Sequence, residues 1–294
     1  MHLEGISPDT ITLVSILGAY ANLEAAAEHE VIQAGYKHKF ESNIILGNAL
    51  ITMYGRCGEV DDARSIFDQM HERNVSSWNA MIFIYGHHGY CREALELLRR
   101  MHKEKTSPNE LTWIYCLSSC GTLGALGQGK KIHSCIIECA YDSNTGAGNA
   151  LINTYSKCVA SMEAFAVFND IRQDAVSYNV MLSCFSQLGH GKRSIELFEQ
   201  MQYEGLKPDE VTFLTVLSAC SHAGLVEEGS KFFKSMIEEH HILPVVGHYG
   251  CMVDLFGKSG DLDVAEDLIY SMSICASTLI WTTLLGVCRN LGEI

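Results

Sequence analysis

Three kinds of string in this 294-residue sequence carry side chains that could do chemistry. Gly124 to Lys131, GALGQGKK, has the G-x4-G-K spacing of a loop that cradles phosphates. Such a loop needs a Ser or Thr after its lysine to reach Mg²⁺, and a strand in front of it. Lys131 stands in the hydroxyl's place and no strand pattern precedes Gly124. Cys116 with Cys120, and Cys135 with Cys139, put two thiols on one face of a helix, so a four-thiolate zinc site across a hairpin is conceivable. Small apolar thiols also fill cores without binding anything. His2-Leu-Glu4 and His102-Lys-Glu104 imitate the H-x-E half of a zinc deaminase, but no P-C-x-x-C completes the metal set. G-x-S-x-G is absent, so a hydrolase elbow has no support. The expectation is a chain without catalytic residues, metal or cofactor, and not an enzyme.

Composition narrows the class. Apolar residues make up 47% of the chain and no run reaches the 18 or more needed to cross a bilayer, which predicts a folded protein with no membrane partner. Lys plus Arg number 21 and Asp plus Glu 35, a net charge of −14 that argues against gripping nucleic acid by bulk positive charge. The N-terminal MHLEGISPDT has neither a secretory nor an organellar presequence pattern, so any address is expected outside this chain. Twelve Cys without a C-x-x-C pair fit reduced thiols better than a disulfide scaffold.

The elements that hold these residues follow from a repeat. Pro8, Pro108 and Pro208 lie 100 residues apart in GISPD, TSPNE and LKPDE, and GNALITMYGRC from Gly47 recurs as GNALINTYSKC from Gly148. Matching apolar positions divides the chain into units at 10–43, 44–74, 75–109, 110–144, 145–174, 175–209, 210–245 and 246–277. Residues 1–9 read as the tail of an earlier unit and 278–294 as the start of another segment, so truncation at both ends is expected. Within 75–109, Trp78, Met81, Ile82 and Tyr85 recur at helical steps, and Ala94, Leu95, Leu97, Leu98 and Met101 do so again after Gly89. Each unit is therefore predicted to be a helical hairpin. Gly58, Gly89, Gly189, Gly224 and Gly260 mark the turn inside it, and Pro108 and Pro208 should close its second helix. A hairpin of this size cannot bury its own faces. Stacked neighbours must share a core, which predicts an all-α solenoid with one concave groove. Trp78 and Trp113 fall on the apolar stripe and are expected in that core.

Units near 34 residues suggest the tetratricopeptide repeat, whose signature residues fit poorly here. The units instead resemble the pentatricopeptide repeat family of land-plant organelles. SSWNAMIFIYGHHGYCREALELLRRMHKEKTSPN and VSYNVMLSCFSQLGHGKRSIELFEQMQYEGLKPD look like its standard unit, and the rotation of long, short and standard lengths resembles its P-L-S subclass. Residues 278–294 are similar to the opening of that subclass's C-terminal extension.

The resemblance implies a single-stranded RNA reader in which the fifth and last residues of a unit read one base. Carried onto this sequence, the base-reading pairs are Asn48 with Asn74, Asn79 with Asn109, Asn149 with Asp174, and Asn179 with Asp209. By the family's pairing rule, Asn with Asp favours uracil and Asn with Asn favours cytosine or uracil, giving Y-Y-gap-U-U in chain order. Val14, Ile114 and Leu214, fifth in the long units, cannot hydrogen-bond a base, and the final unit with Gly250 and Ser277 is poorly readable. Ile45 and Val176 occupy the base-packing place, which Ser76, Gly146 and Gly247 leave weak. Arg56, Lys157 and Lys258 share the place of a phosphate contact. Two plainer readings remain open: an Asn early in a helix caps it, and a cation late in a helix complements its dipole. The resemblance further implies organellar C-to-U editing in mitochondrion or chloroplast, the mitochondrion placed first, with single-stranded organellar RNA, a deaminase-domain protein and organellar editing cofactors as partners. The reading from another class is a protein-binding α-solenoid scaffold.

Overall fold

The computed structural model describes residues 9–23, 40–138, 145–272 and 278–291. Among these residues there are sixteen α-helices and no strand, divided between two compact units, 1–141 and 142–294. The first unit holds α1 (Thr10–Leu23), α2 (Ile44–Arg56), α3 (Val60–Gln69), α4 (Val75–His87), α5 (Cys91–Lys103), α6 (Glu110–Leu123) and α7 (Leu126–Glu138). Its hairpins are α2–α3, α4–α5 and α6–α7. Helices α1, α2, α4 and α6 pack successively against one another as one layer, and α3 and α5 each bridge their own first helix to the next.

The second unit repeats the plan. Its first helices are α8 (Thr145–Lys157), α10 (Ala175–Gln187), α12 (Glu210–Ala223), α14 (Val246–Ser259) and α16 (Thr278–Leu291); its second helices are α9 (Ser161–Asp170), α11 (Gly191–Tyr203), α13 (Val226–Glu238) and α15 (Leu262–Ser271). Successive first helices again touch, with the second helices behind them. This is the all-α architecture of stacked helical hairpins.

Local sequence explains both layers. Helix α5 buries Cys91, Ala94, Leu95, Leu97, Leu98 and Met101, one stripe at steps of one, two, three and four residues. Helix α4 lies between two neighbours as well as against α5, so Trp78, Met81, Ile82, Ile84 and Tyr85 are buried around more of its circumference. Aromatic edges pin α3 to α4 and α9 to α10. Phe67 meets Trp78 edge-on at 4.9 Å, and Phe168 meets Tyr178 in the same way at 5.0 Å. Trp78 and Trp113 are buried, as the apolar periodicity predicts.

Turn chemistry holds two differences from the sequence expectation. All five glycines predicted at the hairpin turns have positive φ, and Gly124 joins them, but the α8–α9 turn uses Val159 at φ 58°. A β-branched side chain there is strained by contact with its own backbone. The second difference concerns the prolines. Helices α5 and α11 end at Lys103 and Tyr203, where Lys105 and Gly205 turn the chain at φ 57° and 78°. Pro108 and Pro208 come later, immediately before the N-caps Asn109 and Asp209. They shape the entry to the next first helix rather than closing the previous one, because the left-handed residue has already broken the helical path.

Candidate functional site

Each of four asparagines, Asn48, Asn79, Asn149 and Asn179, is the fifth residue of a first helix, one turn in from its start. Their partners Asn74, Asn109, Asp174 and Asp209 are the N-caps of the next first helix in the same unit. Capping therefore falls to the second member of every pair and to none of the four fifth-place asparagines. Each cap is a full capping box. Asn74, Asn109, Asp174 and Asp209 accept through Oδ1 from the backbone N–H of Ser77, Thr112, Ser177 and Thr212, at 3.0, 3.1, 2.8 and 2.8 Å.

Three of the four fifth-place amides, those of Asn48, Asn79 and Asn179, reach the same caps from the neighbouring helix. Asn79 Nδ2 donates to Asn109 Oδ1 at 2.9 Å and Asn179 Nδ2 to Asp209 Oδ1 at 3.2 Å; Asn48 Nδ2 lies 3.5 Å from Asn74 Oδ1. At two joints a threonine closes a triangle: Thr112 Oγ1 lies 2.6 Å from Asn79 Oδ1, and Thr212 Oγ1 lies 2.7 Å from Asn179 Oδ1. Where serine replaces threonine, at Ser77 and Ser177, the hydroxyl stays on its own cap. Asn48 Oδ1 and Asn149 Oδ1 are then buried with no hydrogen-bond partner among the described residues, acceptors that a bound polar group would satisfy.

These bonds leave a defined remainder. None of them uses Asn109 Nδ2 or Asp209 Oδ2. An amide at this place therefore offers a donor beyond its cap bond, and a carboxylate offers an acceptor. Partial burial pushes the Asp209 pKa up, but the Thr212 backbone N–H, the Thr212 hydroxyl and the Asn179 amide together hold it below the usual carboxylate value. Asp209 is an anion at neutral pH.

In each compact unit, exposed apolar side chains stand at the second place of several first helices. Ile45 is 66% exposed and Val176 56%. Ile11, Leu111 and Val211 hold the same second place in the long units and are also exposed. Their spacing from each helix start marks this place in the sequence, although the fifth residues of the same units cannot hydrogen-bond a base. Arg56, Lys157 and Lys258 all fall in the last turn of α2, α8 and α14. All three are exposed, and Lys258 Nζ pairs with Asp254 at 2.5 Å.

The strings that imitate enzymes come to little. Cys116 and Cys120 are fully buried, and burial raises the Cys116 pKa far above the thiol range. Cys139, His2, Glu4 and Ser277 lie outside the described residues. Among those described, no group of three or more His, Cys, Asp or Glu side chains could hold a metal ion.

Stacked helical hairpins with a recurring amide and N-cap pair on the first-helix layer define a repeat protein of the α-solenoid class. A model of the PPR repeat family matches residues 73–122 and 173–222, and a PPR repeat model matches 48–75, 211–241 and 247–274. The chain belongs to the pentatricopeptide repeat family. Two pentatricopeptide repeat-containing proteins of Arabidopsis thaliana are 37% identical over 298 residues and 38% identical over 291, covering 100% and 98% of this chain. The chain spans 36% and 49% of those relatives' own lengths. The maize pentatricopeptide repeat protein PPR10 superimposes with a TM-score of 0.78 over 99% of this chain and 43% of that one, at 20% identity. PPR10 in complex with an 18-nt psaJ RNA element gives 0.79 at 20% identity.

Proposed function

We propose that this chain is a sequence-specific single-stranded RNA-binding protein of the P-L-S subclass, serving as a site-recognition factor in organellar C-to-U editing. The observation that carries RNA reading is the pair geometry: three fifth-place amides within 3.5 Å of their caps, and four caps whose second side-chain atom takes part in none of the capping bonds. The RNA bound by the related fold of PPR10 and the chloroplastic name of one Arabidopsis thaliana relative, 35% identical over 286 residues, support the reading.

The pairing preference follows from atoms. Uracil presents an N–H donor at the centre of its Watson–Crick edge, and cytosine presents an acceptor there. Asp174 and Asp209, with a carboxylate oxygen to spare, suit uracil; Asn74 and Asn109, with an N–H to spare, suit cytosine and can also reach a uracil carbonyl. The units proposed above place these sites in the order Y-Y-gap-U-U. Ile45 and Val176, joined by Leu111 and Val211, pack against base faces, and Arg56 and Lys157 approach phosphates. Deamination of the target cytidine is assigned to a deaminase-domain protein acting in trans or to further sequence of a longer natural chain.

Binding to RNAs carrying Y-Y-N-U-U, and to RNAs with purines at each pyrimidine in turn, tests this. Each purine at a read position should weaken binding by about 1–3 kcal/mol, the scale of a specific base contact. Equal binding to all of them, with RNA-independent capture of one protein partner, would instead establish the scaffold reading.

A further inference from the structure

Between α4 and α6 the first-helix layer opens into a groove of about 450 Å³, whose lining includes Phe83, Gly86 and His87 from α4 and Ile114, Tyr115 and Ser118 from α6. Its walls are aromatic. The Phe83 ring lies 5.1 Å from Tyr115 and is stacked on His87 at 5.6 Å, yet Phe83 remains 47% exposed. Asn79, Phe83 and His87 follow at four-residue steps along α4, and Leu111 and Tyr115 do so along α6, so the groove continues directly from the amide pair and the base-packing row.

The composition is particular to this place. Where α4 carries Phe83, the other first helices carry Gly18, Thr52, Ser118, Asn153, Ser183, Ser218, Asp254 and Gly286. One hundred residues later, the counterparts of Phe83, His87 and Tyr115 are Ser183, Gln187 and Thr215. The groove is also lined by Ile114, the fifth-place residue that cannot hydrogen-bond a base. An aromatic surface needs no hydrogen-bond code, because every base has a π-face to stack.

We propose that this groove holds the nucleobase at the gap of the reading frame, the one facing Ile114, by stacking on Phe83 and Tyr115 without selecting its identity. The inference rests on the RNA reading above and adds a site to it. The gap is then an anchored position rather than a skipped one, and the long unit at 210–245, with Ser183 and Thr215 in the same places, has no such anchor.

The test uses the full chain and RNAs that carry each of the four bases, or an abasic residue, at the gap nucleotide. Removing the base should weaken wild-type binding about 5- to 150-fold, while the four bases should agree within roughly threefold. Phe83→Ser, which installs the residue found at 183, should abolish the abasic penalty and keep the pyrimidine preference opposite Asn79 and Asn109. Phe83→Leu, which retains apolar volume, should lose most of the penalty as well, separating stacking from folding. Preference kept opposite Asn79 and Asn109 with no abasic penalty in the wild type, or with the same penalty in both variants, overturns the platform alone. No preference opposite Asn79 and Asn109 in the wild type overturns the RNA reading and the platform together.

Discussion

At Asp209 one carboxylate closes a helix through Oδ1 and leaves Oδ2 outside the capping bonds, so its folding role and its proposed reading role are measurable separately. Its folded pKa is depressed, so the stability it contributes is present above the unfolded value of about 3.9 and is lost as pH falls through the folded one. Asn also caps. Wild type should therefore exceed Asp209→Asn in melting temperature at pH 5–7, with the gap closing below about pH 4; a difference independent of pH would contradict this assignment. A second residue-scale prediction concerns Val159, at φ 58° and 74% exposed. Val159→Gly should stabilise by about 0.5–1 kcal/mol, the relief of left-handed strain less the entropy of glycine, read as a higher denaturant midpoint. The pairs themselves were legible in the sequence as Asn at one place in four units. Their bonding was not, because whether Thr112 or Ser77 at the third helical place reaches across to the neighbouring amide depends on side-chain geometry that spacing does not encode.

At the scale of helices, the 100-residue echo made the hairpins and most turns readable, since stripes such as Trp78, Met81, Ile82 and Tyr85 have a period that only a helix satisfies. The ends of the second helices were misread for a local reason. Proline is a visible breaker, whereas Lys105 at positive φ carries no sequence mark, so the true stop lay upstream of Pro108. The echo also explains GNAL. Gly148 on α8 lies where a Cβ would come within 2.6 Å of Ile171 Cγ2, so the strand of chain leaving α9 packs directly on the α8 backbone. Gly148→Ala should destabilise by about 1–3 kcal/mol through overpacking, with a lower midpoint in urea and no change in base preference. An unchanged midpoint would mean that Ile171 yields freely.

For the whole chain, a net charge of −14 sets the binding regime. The first helices of the eight repeats carry only Arg56, Lys157 and Lys258 as Lys or Arg, so the logarithm of affinity should fall only shallowly with the logarithm of salt, and base contacts should carry an unusually large share of the binding. That share is what the central claim predicts to be movable by one side chain. The most direct measurement is equilibrium binding of wild type and Asn179→Thr to RNAs that differ only at the nucleotide facing Asn179 and Asp209. The account predicts that wild type prefers uracil there and that the variant shifts toward guanine, the base that Thr with Asp favours in the family's pairing rule, with a change of about 1–3 kcal/mol in relative affinity. Identical base rankings for the two proteins, with or without a loss of stability, would contradict it.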